Sequence, residues 1–266
     1  MNKLRTLPVF ALGGTDFLVD IDQQVLREAE RPANEISFIN DMSDNGHCYL
    51  LRYDLVTKRP EPDRVDQYIE VVEIPFMTRL DPEGMALKYG LPAGQIKGKT
   101  DFEVIVDQDA LALRREGILP KIDMAGESFI SDLRLQELRH GKYFFPVISL
   151  KSFELTNDGW HYEAYYHPVM KQVVELDPKL LEFPEGVIKL KIPNELGLDP
   201  VATAGIYGMD ERQVLRRHPI QTALKAEVIP LSETNVPAMI QRNKEALQQE
   251  HRENAQRMKP RQRPKF

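Results

Sequence analysis

Cysteine is almost absent from this 266-residue chain: Cys48 is the only one. No intrachain disulfide can form, which excludes a secreted scaffold stapled by bridges. The multi-cysteine zinc classes are excluded with it. Cys48 precedes Tyr49 at the start of a strand-like run, the setting of a buried, inert thiol rather than a nucleophile. Long apolar runs are missing too, and none reaches the length needed to cross a bilayer. Lys3 and Arg5 before the apolar run 7–12 mimic a short signal peptide. A matching run at 119–124 lies in mid-chain, so the segment reads as a strand and the expected compartment is the cytoplasm. Charge of one sign is not in large excess: the net charge is −6, with 42% hydrophobic and 29% charged residues. Those are values of a soluble globular protein, and they argue against a wholly electrostatic nucleic-acid binder. There is no H-x-x-x-H, P-loop, G-x-S-x-G or dinucleotide fingerprint, so no cofactor and no catalytic residue is expected.

What the chain does have is a second copy of itself. Leu7-Pro8, Gly14, Phe17, Asp20, Gln24 and Leu26-Arg27 return as Leu119-Pro120, Gly126, Phe129, Asp132, Gln136 and Leu138-Arg139. Chance would supply roughly one or two such identities in a window of that length. Further pairs follow: Gly46 with Gly159, Tyr49 with Tyr162, Tyr53 with Tyr166, Lys58 with Lys171, and Ile74-Pro75 with Ile192-Pro193. A duplication of this kind sets the architecture first. It also sorts residues: those kept in both copies read as scaffold, and those in one copy as candidates for function.

Each copy reads as a β-meander closed by a short helix. Alternating Phe10, Leu12, Phe17, Val19 and Ile21 flank Gly13-Gly14, which predicts a hairpin whose other face, with Asp20, is wet. A second hairpin is expected from 36–39 through Asp44-Asn45-Gly46 to Tyr49, Leu51 and Tyr53, and in the second copy from 147–150 through Asn157-Asp158-Gly159. A fifth strand is predicted over 68–74 and 187–192. Asp81-Pro82 with Tyr89-Gly90, and Asp199-Pro200 with Tyr207-Gly208, are start and stop signals of a short helix. Between the copies, 102–106 reads as a strand and 109–116 as a helix. After them come an extended 226–231 and a helix following Thr234-Asn235, with Val236, Ile240 and Leu247 as its apolar stripe.

The expected fold is therefore α+β: two tandem homologous units, each an antiparallel β-meander of about five strands with a capping helix, plus a C-terminal helix. The boundaries are 1–98 and 119–218 for the units, 99–118 for a connecting segment with a helix, 219–256 for the C-terminal strand and helix, and 257–266 for a basic, disordered tail.

Candidate chemistry is sparse. Asp81 and Asp199 form a pair of carboxylates, but helix capping explains both their type and their place. Asp20 and Asp22, and the cluster Asp41, Asp44, Asn45 and His47, have cation-ligand chemistry without a cation-loop pattern. His161 and His167 stand too far apart on a strand to share a metal. The second copy is rich in aromatics: Tyr143, Phe144, Phe145, Phe153, Trp160, Tyr162, Tyr165 and Tyr166. Trp160 and Tyr165, flanked by His161 and Lys171, form the candidate surface for a base or a protein partner. Arg257, Lys259, Arg261 and Arg263 in the tail are the candidate phosphate contacts.

The paired patterns L-P-x4-[GA]-G-x2-F-x2-D and L-D-P-x3-A-x2-Y-G resemble those of uncharacterised tandem-duplicated proteins carried by bacterial conjugative and other mobile elements. The segment Leu231-Ser232-Glu233-Thr234 with Pro237, Ile240 and Asn243 fits the same resemblance. It implies an accessory gene whose partners are encoded by the element or its host, and no catalytic residue comes with it. The expected function is a non-catalytic intracellular adaptor that binds a protein partner. The alternatives are a nucleic-acid-associated protein using the tail and the second-copy aromatics, and an enzyme with its site at the seam between the repeats.

Overall fold

The computed structural model describes residues 5–257 of the chain. It is mixed α and β, with several antiparallel sheets and, among the described residues, eight α-helices. The chain forms two compact units. One takes in the chain up to Gly117 together with Thr203–Ile220; the other takes in Ile118–Ala202 and the chain from Gln221.

The first unit opens with β1 (Val9–Leu12), β2 (Thr15–Asp20), β3 (Val25–Glu28) and β4 (Glu35–Ser37), an antiparallel sheet in chain order. Gly13 and Gly14 both have positive φ, the conformation that the two-residue turn between β1 and β2 requires. Next come β5 (Met42–Asp44), β6 (Tyr49–Asp54), β7 (Arg59–Pro60) and β8 (Ile69–Ile74). They form a second sheet in which β6 pairs with the other three. The expected hairpin from 36–39 into Tyr49 is therefore corrected. Ile36 pairs back with Leu26 in the first sheet, and it is Met42 that faces Leu51. Two sheets replace one meander. Asp20, expected on a wet face, is buried; its Oδ1 accepts the Gln23 N–H at 3.0 Å and its Oδ2 meets Arg27 at 3.0 Å. The carboxylate closes the β2–β3 turn, which is why it is not left in water.

α1 (Met77–Leu80) and α2 (Pro82–Tyr89) follow. Asp81 caps α2 by accepting the Gly84 N–H at 2.9 Å, and Gly90 ends it in the left-handed conformation. The predicted strand at 102–106 is instead helix α3 (Asp101–Ile105), before α4 (Gln108–Arg115). A capping box decides it: Thr100 accepts the Glu103 N–H while the Glu103 carboxylate accepts the Thr100 N–H. Within the core, the buried Asp101 carboxylate accepts Tyr49 O–H at 2.5 Å and the Met77 and Thr78 N–H groups at 2.8 Å each.

The second unit runs β9 (Lys121–Met124), β10 (Glu127–Asp132), β11 (Glu137–His140) and β12 (Val147–Ser149), again antiparallel in chain order. Then β13 (Glu154–Leu155), β14 (His161–His167), β15 (Gln172–Val173) and β16 (Ile188–Pro193) form a sheet in which β14 pairs with the other three. α5 (Glu195–Leu198) and α6 (Pro200–Tyr207) follow, with the Ala202 N–H donating to Asp199 Oδ1 at 3.0 Å. α7 (Glu211–Arg217) belongs to the first unit. There Arg212 bonds Asp44 at 2.9 Å and lies 4.5 Å from the Phe102 ring, and Arg216 lies 4.4 Å from the Tyr49 ring. β17 (Leu224–Lys225) adds in parallel beside β9, and β18 (Glu227–Ile229) pairs with β16. The chain then enters α8 (Val236–Arg257). Val236 and Ile240 of α8 are buried with Leu231, but Leu247 is exposed, so the apolar stripe is shorter than expected. The core of this unit gathers Ile122, Met124, Phe129, Leu138, Tyr166, Leu190 and Ile192. No helix among the described residues is long and apolar enough to cross a membrane.

Candidate functional site

The residues singled out by the sequence fall in separate places. Trp160 follows the turn at Gly159 and is half exposed, with its backbone N–H donating to Asp158 Oδ1 at 2.9 Å. His161 opens β14, its Nδ1 3.7 Å from Asp158 Oδ2. Tyr165 lies five residues beyond Trp160, about 16 Å along an extended chain, and side chains an odd number apart point to opposite faces. The Tyr165 hydroxyl donates to Asn235 Oδ1 at 3.1 Å, and its ring packs against the cluster around Val236 at the start of α8. Trp160 and Tyr165 thus do not share one surface. Lys171 belongs to a third place, described below. Arg257 is the last residue of α8, and Lys259, Arg261 and Arg263 lie outside the described residues. Asp81, besides capping α2, is ion-paired with Arg5. Among the described residues no group of three or more histidine, cysteine or acidic side chains is placed to hold a metal ion.

The best-built polar site is the end of β11. His140 faces Phe129 across the β10–β11 ladder and is buried. After it the chain leaves the sheet through Gly141-Lys142-Tyr143-Phe144-Phe145-Pro146. Gly141 donates its N–H to the Ser128 carbonyl at 2.7 Å, and a Cβ at this position would lie 2.9 Å from that oxygen. Only glycine permits so close an approach. His140 N–H donates to the Pro146 carbonyl at 3.2 Å and the Phe144 N–H to the His140 carbonyl at 2.9 Å, so the loop is tied across its base.

The imidazole fastens the middle of that loop. Its Nδ1 accepts the N–H groups of Lys142 and Tyr143, each at 3.2 Å. A nitrogen accepting two donors carries no proton, which assigns the hydrogen to Nε2. Nε2–H donates to Glu127 Oε2 at 3.1 Å, and Lys171 Nζ donates to Glu127 Oε1 at 2.7 Å. The Lys171 ammonium and then the His140 N–H hold the Glu127 carboxyl below the usual glutamate range. Burial, with the Glu127 charge second, pushes the nearby Tyr166 hydroxyl up to about 12. The Tyr143 ring stacks on the imidazole at 5.2 Å and the Phe129 ring meets it edge-on at 5.5 Å. With Nδ1 held by two amides, the imidazole fastens the loop.

What the loop presents is apolar. Tyr143, Phe144 and Phe145 are 62%, 58% and 75% exposed, and Val169 and Met170 just before Lys171 are exposed as well. Phe144 has φ +62°, a region that bulky L-residues avoid at a cost of roughly 1–2 kcal/mol. Beside the loop is a cleft of about 490 Å³ lined by Lys121, Glu127, His140, Lys142, Tyr143 and Lys171. A larger groove of about 930 Å³ lies under Phe153, Tyr165, Leu176 and Met239, with the Lys189–Glu163 ion pair in its wall. In the first unit the turn after β3 is closed differently. Glu28 accepts Arg31 Nε and Asn34 Nδ2 at 2.8 Å each, Asn34 also reaches the Lys58 carbonyl at 2.8 Å, and the turn residues Pro32 and Ala33 carry no aromatic ring.

Sequence reasoning noted Lys171 and the aromatics but missed His140 and Glu127. A signal was present: Leu26-Arg27 is followed by Glu28, whereas Leu138-Arg139 is followed by His140. Comparison with protein-family models, with curated proteins and with solved structures gives no match to this chain.

Proposed function

We propose that the chain is a non-catalytic accessory or adaptor protein, descended from a tandem duplication, that binds a protein partner through the loop carrying Tyr143, Phe144 and Phe145. One observation carries the reading: three consecutive aromatic side chains stand in solvent on a loop that buried His140 pins in place. Contiguous exposed aromatics of this kind mark interaction surfaces. Covering about 100 Å² of each ring is worth about 2.5 kcal/mol. Pre-ordering of the loop lowers the entropy lost on binding.

Shared ancestry of the halves is supported by the repeated pairing order of β1–β4 and β9–β12, and of β5–β8 and β13–β16. It is supported too by left-handed backbone at Gln24 and Gln136, and at Lys58 and Lys171. On that reading the aromatic loop is an acquisition of the second copy. Trp160, half exposed at a different turn, is a second anchor of the same kind.

The test is a pull-down from native lysate with the full chain, a Phe144→Ser/Phe145→Ser double variant and Trp160→Ala. A partner captured by the intact chain and lost with the double variant is expected. No partner with any form, or equal capture with the double variant, counts against the reading. DNA and RNA binding at two salt concentrations, with and without 257–266, tests the nucleic-acid alternative: salt-sensitive binding that needs the tail would favour it.

A further inference from the structure

Resting on that reading, we propose that the partner segment is acidic: a carboxylate-bearing peptide whose acid side chains enter the cleft beside the loop while an adjacent apolar residue packs on Phe144 and Phe145. The argument is charge complementarity in a chain whose overall charge points the other way. The whole protein is net negative, yet this cleft is lined by Lys121, Lys142 and Lys171 against the single carboxylate of Glu127. The site's own contacts sort these groups. Glu127 is already matched, since Lys171 donates to one of its oxygens and His140 to the other. Both His140 ring nitrogens are engaged, Nδ1 by the Lys142 and Tyr143 amides and Nε2 by Glu127, so the imidazole has none left for a ligand. That leaves Lys121 and Lys142, both exposed, as charge that the cleft does not balance internally. The Lys142 ammonium sits 5.1 Å from the Tyr143 ring centre, which holds the cation beside the aromatic surface. A cation next to exposed rings is matched by alternating acidic and apolar side chains. A basic segment would meet two lysines, and a purely apolar one would bury them unpaired.

The experiment uses the full chain and fluorescein-labelled decapeptides read by fluorescence polarisation. The probes alternate aspartate with phenylalanine, lysine with phenylalanine, or aspartate with serine. The Asp/Phe probe should bind at least about tenfold tighter than the Lys/Phe probe, and the gap should shrink at high salt. Lys121→Glu/Lys142→Glu should reverse the preference, and Phe144→Ser/Phe145→Ser should weaken the Asp/Phe probe about as far as replacing its phenylalanines by serine. All four substitutions are at exposed positions, and circular dichroism of each variant confirms that the fold is kept.

Equal binding of the acidic and basic probes, or binding of neither, overturns the acidic assignment. Displacement of the probe by inorganic phosphate as readily as by unlabelled peptide also overturns it, since the cleft would then take a free anion. None of these outcomes touches the docking reading if the Phe144→Ser/Phe145→Ser variant still loses its lysate partner. Retention of that partner by the variant defeats the docking reading itself, whatever the probes do.

Discussion

Replacing His140 separates what its ring atoms do from what its bulk does. In His140→Phe the stacking with Tyr143 and the edge contact with Phe129 remain possible, and the volume is close. What goes is the Nδ1 acceptor for the Lys142 and Tyr143 amides and the donor to Glu127. Each lost hydrogen bond is worth about 0.5–1.5 kcal/mol. The two amides lie in a partly exposed loop where water replaces part of the loss, so a total of about 1–3 kcal/mol is expected. His140→Asn is the control, because an asparagine Oδ1 falls near the position of Nδ1 and can accept the same amides. Urea unfolding gives the stability change, and amide hydrogen exchange locates it. Exchange at Lys142 and Tyr143 should quicken in His140→Phe far more than in His140→Asn, with the strands of the second unit unaffected at low urea. Equal protection of those two amides in all three proteins would refute the claim that the imidazole holds the loop.

Other parts of the chain make their own predictions. Asp101→Asn should cost about 1–3 kcal/mol in urea unfolding, because either orientation of the amide turns an NH2 towards a backbone donor, Met77 or Thr78. No loss would mean that the carboxylate does not organise the start of α1. Gly84→Ala, which in an open helix gains about 1 kcal/mol, should instead destabilise, since the new Cβ meets the Asp81 carboxylate and the Arg5 guanidinium. A raised melting temperature would contradict the tight cap. Acid should weaken the fold with a definite sign. Backbone N–H groups of Thr57 and Val56 hold the Asp54 carboxyl low, the Arg31 guanidinium and the Asn34 amide hold Glu28 low, and Lys171 holds Glu127 low. Depressed carboxyls stabilise fully above their unfolded range, so their contribution to the urea midpoint should be level from about pH 7 to about pH 5 and fall below about pH 4. Asp54→Asn should flatten part of that fall. Asp101, which burial pushes up, acts oppositely and loses stability as pH rises past the ordinary aspartate range.

Features of the fold encoded within a few residues were legible, and those encoded across the chain were not. Asp81-Pro82 and Gly90 mark α2 because a cap, a fixed φ and a left-handed stop are local chemistry. The turn at Asp44-Asn45-Gly46 is equally local: Asp44 Oδ1 accepts the Gly46 N–H at 2.7 Å. Pairing is different. Nothing near Ile36 says that it turns back to Leu26 rather than forward to Tyr49, because both offer an alternating apolar face. The run Phe102-Glu103-Val104-Ile105-Val106 is too short for periodicity to tell strand from helix, and the Thr100–Glu103 box was the deciding sign. The site divides the same way. The rings of Tyr143, Phe144 and Phe145 are plain in the sequence, but their exposure depends on Glu127 and Lys171, which meet His140 from 13 and 31 residues away.

The most direct test of the aromatic loop as the docking surface is a hydrogen-exchange footprint of the full chain with and without its captured partner. Protection gained at 141–146 and around Lys171, with a smaller gain at Trp160 and little change along the Phe153–Met239 groove, is the predicted result. Protection confined to those other places, with the loop still exchanging as in the free protein, would contradict it.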